Sequence, residues 1–183
     1  MTGERPPYLP GDRVARDDRA RMIRVDQAGE YGATRIYAGQ MAVLRRGRAA
    51  AAIREMAEQE HRHLAQFDRL VIERRVRPTV LSPLWHLAGY ALGAATALLG
   101  ERAAMACTVA VEEVIDGHYA QQAERLGDGD DALAEAIRTA RADELAHRDT
   151  ALAHDAAEAP GYELLSAAIK TGARLAIWLS ERV

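Results

Sequence analysis

Cysteine is almost missing from this chain: Cys107 is the only one among 183 residues. A single thiol cannot close an intrachain disulfide, which fits a reducing compartment. Aromatic residues make up only 5% of the chain, while hydrophobic residues reach 49%. Alanine supplies much of that apolar content, and alanine favours helix. β-branched runs bounded by turn residues are scarce, which argues against a sheet. A large excess of either charge is lacking as well, and a net charge of −3 argues against a duplex nucleic-acid binder. The polar, proline-rich start "MTGERPPYLPGD" shows no signal peptide. Residues 1–17 are expected to be irregular and residues 18–183 to form one domain.

The charge that is present is uneven. Residues 1–80 hold 16 Arg against 11 acids, or +5, and residues 81–183 hold 8 Lys plus Arg against 16 acids, or −8. The early series Arg13, Arg16, Arg19, Arg21 and Arg24 suits a solvated surface first and anionic lipid second.

Four long segments carry apolar residues at steps of three and four, the spacing of one helical face. They run roughly over residues 18–46, 50–75, 101–126 and 131–158. Their stripes read Glu30, Thr34, Tyr37, Met41, Leu44; then Ile53, Met56, Glu60, His63, Phe67, Leu70; then Met105, Thr108, Glu112, Ile115, Tyr119; then Leu133, Ile137, Ala140, Glu144, His147, Ala151. A glutamate lies inside each stripe, where a core residue belongs. Glu30 precedes Glu60 by 30 residues and Glu112 precedes Glu144 by 32, so each half reads as a helical hairpin carrying Glu and then Glu-x-x-His. Two such hairpins predict an all-α, ferritin-like four-helix bundle. Glu112 rather than Glu113 is the inward residue, because it shares a face with Met105, Thr108, Ile115 and Tyr119.

Between the halves, Pro78 to Gly100 contains no Asp, Glu, Lys or Arg over 23 residues. Ser82 and Pro83 look like a helix start, and about 17 residues at 1.5 Å each give about 25 Å, marginal for a membrane span. An apolar crossover helix with a membrane-dipping or core-packed face is expected instead. Gly89 and Gly93, four apart, would let another helix come close. A last amphipathic helix follows Pro160, with Lys170, Arg174, Arg182 and Trp178 suited either to a membrane interface or to packing on the bundle.

Four buried carboxylates near one another would each lose several kcal/mol of hydration and also repel one another. Two divalent metals remove both costs, since two ferrous ions carry +4 against −4. Glu and His at i and i+3 project from one face about 4.5 Å apart along the axis. Carboxylate with imidazole suits Fe or Mn better than a thiolate zinc site. Glu30, Glu60, His63, Glu112, Glu144 and His147 are therefore the candidate metal ligands. Asp143 could accept the free N–H of a ligand imidazole from the opposite hairpin, such as His63. Tyr37 and Tyr119 could line a pocket and His118 could orient a substrate, although Asp143, Tyr37 and His118 equally suit ordinary structural roles.

The segments "RMIRVDQAGEYGATRIYAGQMAVL", "RPTVLSPLWHLAGYALGAATALLG", "AMACTVAVEEVIDGHY" and "DELAHRDTALAHDAAEAPGY" closely resemble the demethoxyubiquinone hydroxylases of ubiquinone biosynthesis. The resemblance covers about residues 20–183. It implies a membrane-associated di-iron monooxygenase that uses O2 to hydroxylate a polyprenylated methoxy-methyl-benzoquinol at its unsubstituted ring carbon. It implies two iron ions per chain on the six residues named above. The family often has a second His before the His-Tyr pair, where this chain has Gly117; the ligands are untouched. Eukaryotic members work with a lipid-binding partner protein, and mitochondrial members carry a targeting extension absent here. The short start and Ala/Arg-rich composition look bacterial. The implied place is the cytoplasmic face of a bacterial inner membrane, or the matrix side of the mitochondrial inner membrane in a eukaryote. An electron-rich quinol can feed electrons to the site directly, so a separate reductase need not act. Two other readings share features of the sequence: a ferritin- or rubrerythrin-like ferroxidase or peroxidase, which would use the same ligands, and a non-enzymatic lipid-binding bundle.

Overall fold

Each apolar stripe is helical in the computed structural model, which describes residues 15–126 and 130–183. α1 spans Ala15–Val43, α2 Arg48–Glu73, α3 Ser82–Leu98, α4 Glu101–Leu126, α5 Asp131–Ala153 and α6 Tyr162–Ser180. No strand occurs among the described residues, so the fold is an all-α helical bundle. Of the segment expected to be irregular, residues 1–14 lie outside the described residues and 15–17 open α1. Much of the "GDGDD" break, at 127–129, also lies outside them.

Short loops make α1–α2 and α4–α5 hairpins, and the hairpins pack on each other through α2 and α5. Asp130 fixes one end of this arrangement. Its side chain caps α5 by accepting from the Leu133 N–H at 3.3 Å. The same carboxylate accepts two bonds from the Arg74 guanidinium at 2.9 and 3.0 Å, tying the start of α5 to the end of α2.

Two apolar clusters bracket the middle of the bundle. One joins Ile23, Phe67, Tyr119, Leu133, Ile137 and Ala140; the other joins Tyr37, Ile53, Met56, Met105, Val109 and Ala151. Glu60 and His63 fall between Met56 and Phe67 along α2, and Glu144 and His147 between Ala140 and Ala151 along α5. The polar donors thus form a layer with dry packing on both sides.

Three boundaries differ from the sequence reading. α1 stops at Val43 rather than Arg46, and Gly47 follows at φ 115, a conformation that favours glycine. α3 takes Leu81 as its N-cap, one residue before the Ser82 that was expected. α5 ends at Ala153, not near Glu158; Ala156–Glu158 is a short 3-10 turn. The alanines there favour helix, but a contact from elsewhere in the chain wins. Arg48 donates to the Ala153 carbonyl at 2.8 Å and to Asp155 at 2.9 Å, and Asp155 turns left-handed at φ 61.

α3 lies along α1 at very short range. A Cβ at Gly93 would collide with the Ile36 carbonyl, and one at Gly39 with the Tyr90 carbonyl. The close approach expected of Gly89 and Gly93 is therefore made, and its partner is α1. α4 is buried on every side from Ala103 to Glu112, because α3 and α6 cover the face that the bundle does not. No described helix is long and apolar enough to cross a membrane.

Candidate metal centre and apolar groove

The six inward donors converge. Atoms of Glu30, Glu60, His63 and Glu144 lie within 4.8 Å of one another, as do atoms of Glu60, Glu112, Glu144 and His147. Glu60 and Glu144 belong to both groups. Every one of the six is at most 4% exposed. Glu113, the rejected alternative, faces outward and pairs with Lys170.

Eight side-chain atoms of these residues are buried with no hydrogen-bond partner: Glu30 Oε2, both oxygens of Glu60 and Glu144, Glu112 Oε2, and Nδ1 of His63 and His147. Buried polar atoms are normally satisfied, and each failure costs about 1–3 kcal/mol or more for a charged group. Other buried atoms also lack partners, on Asp26, Gln27, Arg35, Gln40 and Gln122, but only in the converging set do eight such atoms gather on six residues. A pair of cations is the partner that would satisfy them together, and carboxylate with imidazole is the donor chemistry of iron and manganese.

The electrostatics carry the same strain. Burial pushes Glu30, Glu60 and Glu112 up, and the charge of Glu144 adds to it. Burial would raise Glu144 too, yet His147 and His63 facing it hold it down at about 2. Burial opposes protonation of His63, but the carboxylates of Glu144 and Glu30 push it up to about 11.

The supporting contacts cross between hairpins. Tyr37 donates to Glu112 Oε1 at 3.0 Å, and Tyr119 donates to Glu30. Burial, and then the charge of the carboxylate each meets, keeps both phenols protonated and therefore donors. His63 Nε2 bonds Asp143 Oδ2 at 2.9 Å, the contact anticipated from sequence. His147 Nε2 bonds Gln59 Oε1 at 2.5 Å, a contact that was not. The signal for it was present: Glu30, Tyr37 and Gln40 recur 82 positions on as Glu112, Tyr119 and Gln122, and Gln59, Glu60 and His63 recur 84 positions on as Asp143, Glu144 and His147. Once Asp143 is considered, the repeat points to Gln59.

His118 is not brought to the cluster. Its Nε2 lies 3.3 Å from Asp26 Oδ1, to which Gln122 also donates at 2.7 Å. Asp26 is itself buried at 2% exposure, and burial raises it despite those two partners. Tyr37, Tyr119 and His118 are not among the residues that line the main apolar opening; the two phenols meet Glu112 and Glu30, and His118 meets Asp26.

That opening is a groove of about 560 Å³ between α1, α3, α4 and α6. Gly29, Ala33 and Ile36 of α1, Val111 and Ile115 of α4, Trp85 and Leu92 of α3, and Leu165 and Ala173 of α6 are among its walls. Gly29 and Val111 are chain neighbours of Glu30 and Glu112, so the groove passes one residue from two of the six donors. Its size is that of a small-molecule site. α6 and α1 supply most of its wall and the crossover helix α3 a smaller part. The apolar residues of α6 lie on two faces. Ile169 is buried at 6% exposure, while Leu164 is 79% exposed.

Residues 17–180 match the family described as Ubiquinone biosynthesis protein COQ7. The chain is 59% identical over 176 residues to the 3-demethoxyubiquinol 3-hydroxylase of Rhodospirillum rubrum, covering 96% of this chain and 83% of that protein. It is 54% identical over 175 residues to the mouse NADPH-dependent 3-demethoxyubiquinone 3-hydroxylase, mitochondrial, covering 93% and 81%. To the yeast 5-demethoxyubiquinone hydroxylase, mitochondrial, identity is 42% over 201 residues, covering 98% and 86%. With a match of that extent, and relatives this similar over nearly its whole length, the chain belongs to the COQ7 family of ubiquinone biosynthesis proteins.

Proposed function

We propose that the chain hydroxylates a demethoxyubiquinol at its unsubstituted ring carbon, with O2, at a di-iron centre of the ferritin-like kind. The observation that carries this reading is the layer of eight orphaned donor atoms beside an apolar groove. The names of the relatives supply the substrate class.

In this reading Glu30 and His63 would hold one ion and Glu112 and His147 the other, with Glu60 and Glu144, which belong to both donor groups, available to either. Bound iron would supply the redox chemistry that activates O2. The protein's own tasks are positional. Tyr37 and Tyr119 fix the outer carboxylates of Glu112 and Glu30, so that each presents its free oxygen inward. Asp143 and Gln59 fix the imidazoles with Nδ1 inward. The two apolar clusters exclude water, which strengthens every charge interaction in the layer. The groove takes the quinol ring and the first part of its tail. One oxygen atom enters the ring C–H bond and the other leaves as water. The two electrons and two protons come from the quinol itself, which then departs as a quinone, or from NADPH, the reductant named for the mouse relative, together with one proton from solvent.

The test is to incubate iron-loaded protein with quinol under labelled O2 and to look for one labelled oxygen in the ring. Iron mineralisation without ring labelling would favour a ferroxidase; a chain that holds no iron would favour a lipid-binding bundle. Ala173→Trp, placed in the groove wall, should raise KM for a long-tailed quinol by about tenfold or more while sparing a tail-less one, since a filled pocket loses the tail's burial. Equal effects on both would remove the groove from the scheme.

The protein is further proposed to sit on a membrane surface, the cytoplasmic face of the inner membrane in a bacterium or the matrix side in a mitochondrion. What supports this is the outer side of the groove helices. Leu84, Leu87 and Leu98 of α3 and Leu164, Leu175 and Trp178 of α6 are exposed. A lipid-binding partner of the kind the resemblance implies would meet the same surface. Leu87→Glu with Leu175→Glu should abolish co-sedimentation with anionic vesicles, because charged side chains do not enter the acyl region cheaply. Undiminished sedimentation would place the contact elsewhere.

A further inference from the structure

The two halves of the metal layer are built on the same plan, and the clearest chemical difference lies in what stands behind each imidazole. Each terminal carboxylate receives a phenol from the other hairpin, Tyr119 on Glu30 and Tyr37 on Glu112. Glu60 and Glu144 serve both sides. Each imidazole turns Nδ1 inward: His63 Nδ1 lies 3.6 Å from Glu30 Oε2, and His147 Nδ1 lies 3.1 Å from Glu60 Oε1. Each Nε2 meets the residue that precedes the glutamate of the opposite Glu-x-x-His. Here the symmetry breaks, because His63 meets the carboxylate of Asp143 and His147 meets the neutral amide of Gln59.

Both acceptors fix the tautomer, but they do not do the same thing to the ring. A carboxylate sharing the Nε2 proton shifts electron density onto Nδ1 and makes it a stronger donor. It also places a full negative charge behind the ring, where an amide places only a dipole. The Asp143 side chain is 40% exposed, while its hydrogen bond reaches a ring that is 4% exposed. Water screens part of its field but not the bond itself.

We propose that the two ion positions are unequal, with the Glu30–His63 side taking the first divalent ion and holding it more tightly than the Glu112–His147 side. Asp143 is the positioning residue that sets the order, and Gln59 is its weaker counterpart. This rests on the dimetal reading of the site. A changed outer partner alters metal affinity by about 10–100-fold, so the two steps should be separated by that order.

Titrating the chelator-stripped full chain with Co(II), read by calorimetry and by visible absorption, tests this without turnover. The wild-type chain should bind two ions in two resolved steps. Asp143→Asn keeps the shape and removes the charge; it should weaken the first step about 10–100-fold, leave the second, and merge the two. Gln59→Glu adds the missing charge and should strengthen the second step. A purely structural role for Asp143 would instead weaken both steps together, and that result would overturn the proposal. So would Gln59→Glu leaving the second step unchanged. A wild-type chain that binds two ions with equal affinity overturns the inequality and leaves the dimetal reading standing, whereas one that binds no Co(II) overturns the dimetal reading itself.

Discussion

Glu144→Ala should strip the chain of tightly held metal and take quinol hydroxylation to background in the same step. Glu144 contributes atoms to both donor groups, so one substitution removes a ligand from each ion. It also removes the carboxylate that His147 and His63 hold at about 2, leaving two imidazoles with less to face. Loss of an outer partner alone costs about 10–100-fold in metal affinity, and loss of a shared ligand should exceed the upper end of that range. Metal analysis of the purified variant, with turnover measured on the same sample, checks both parts. Glu144→Gln keeps the volume and should behave alike, which separates ligand loss from a cavity. A variant that retains two ions, or hydroxylates without them, would end the scheme. Glu112→Ala should spare more metal than Glu144→Ala, because Glu112 belongs to one group only.

Glu60→Gln should make the metal-stripped protein more stable at neutral pH, the reverse of its effect on the loaded one. Glu60 is fully buried, and its carboxyl is raised well above the ordinary 4.5 by burial first and then by the charges of Glu144, Glu30 and Glu112. A carboxyl raised in the folded state binds its proton more tightly there than in the unfolded chain. Its contribution to stability is therefore fully present below the unfolded value near 4.5 and is lost as pH climbs through the folded one. Above about pH 4.5 folding has to protonate Glu60 against solution, and glutamine never incurs that cost. Replacing buried charge by a neutral residue of similar size is worth about 1–4 kcal/mol in favourable cases. Denaturant melts of the stripped proteins should then coincide near about pH 4 and separate toward pH 7, with the variant higher. Adding divalent metal should invert the order, since the wild-type chain alone has its full ligand set. Coincident melts at every pH would mean that the carboxylates are not in conflict.

Much of this layer could be read before any coordinates. The stripes through Glu30, Glu60, Glu112 and Glu144 place an acid where leucine or isoleucine would stand, and helical periodicity alone then forces the four to meet. His63 and His147 follow from the i, i+3 step on the same face. What escaped notice depended on contacts between distant elements. Gln59 looks like a surface residue of α2 until α5 is laid against it and His147 reaches its amide. The end of α5 is set by Arg48, more than a hundred residues earlier, against the helix preference of the local alanines. Asp26 lies four residues before Glu30 on the same face, but that it meets His118 and Gln122 cannot be read from α1, because those partners come from α4. α4 itself is poorly amphipathic, since a helix covered on every side has no polar face to alternate with. The groove is likewise invisible in any single helix, being a gap that α1, α3, α4 and α6 enclose jointly.

The crossing of contacts between the hairpins has a consequence for assembly. Each hairpin brings three of the six donors, and each depends on the other for the phenol on its carboxylate and the acceptor on its imidazole. Severed halves would be mutual orphans, unable to hold an ion apart and competent only on re-docking in register. Retention of metal by the intact chain is accordingly a form of proofreading, which rewards the one arrangement of the two halves and no near miss.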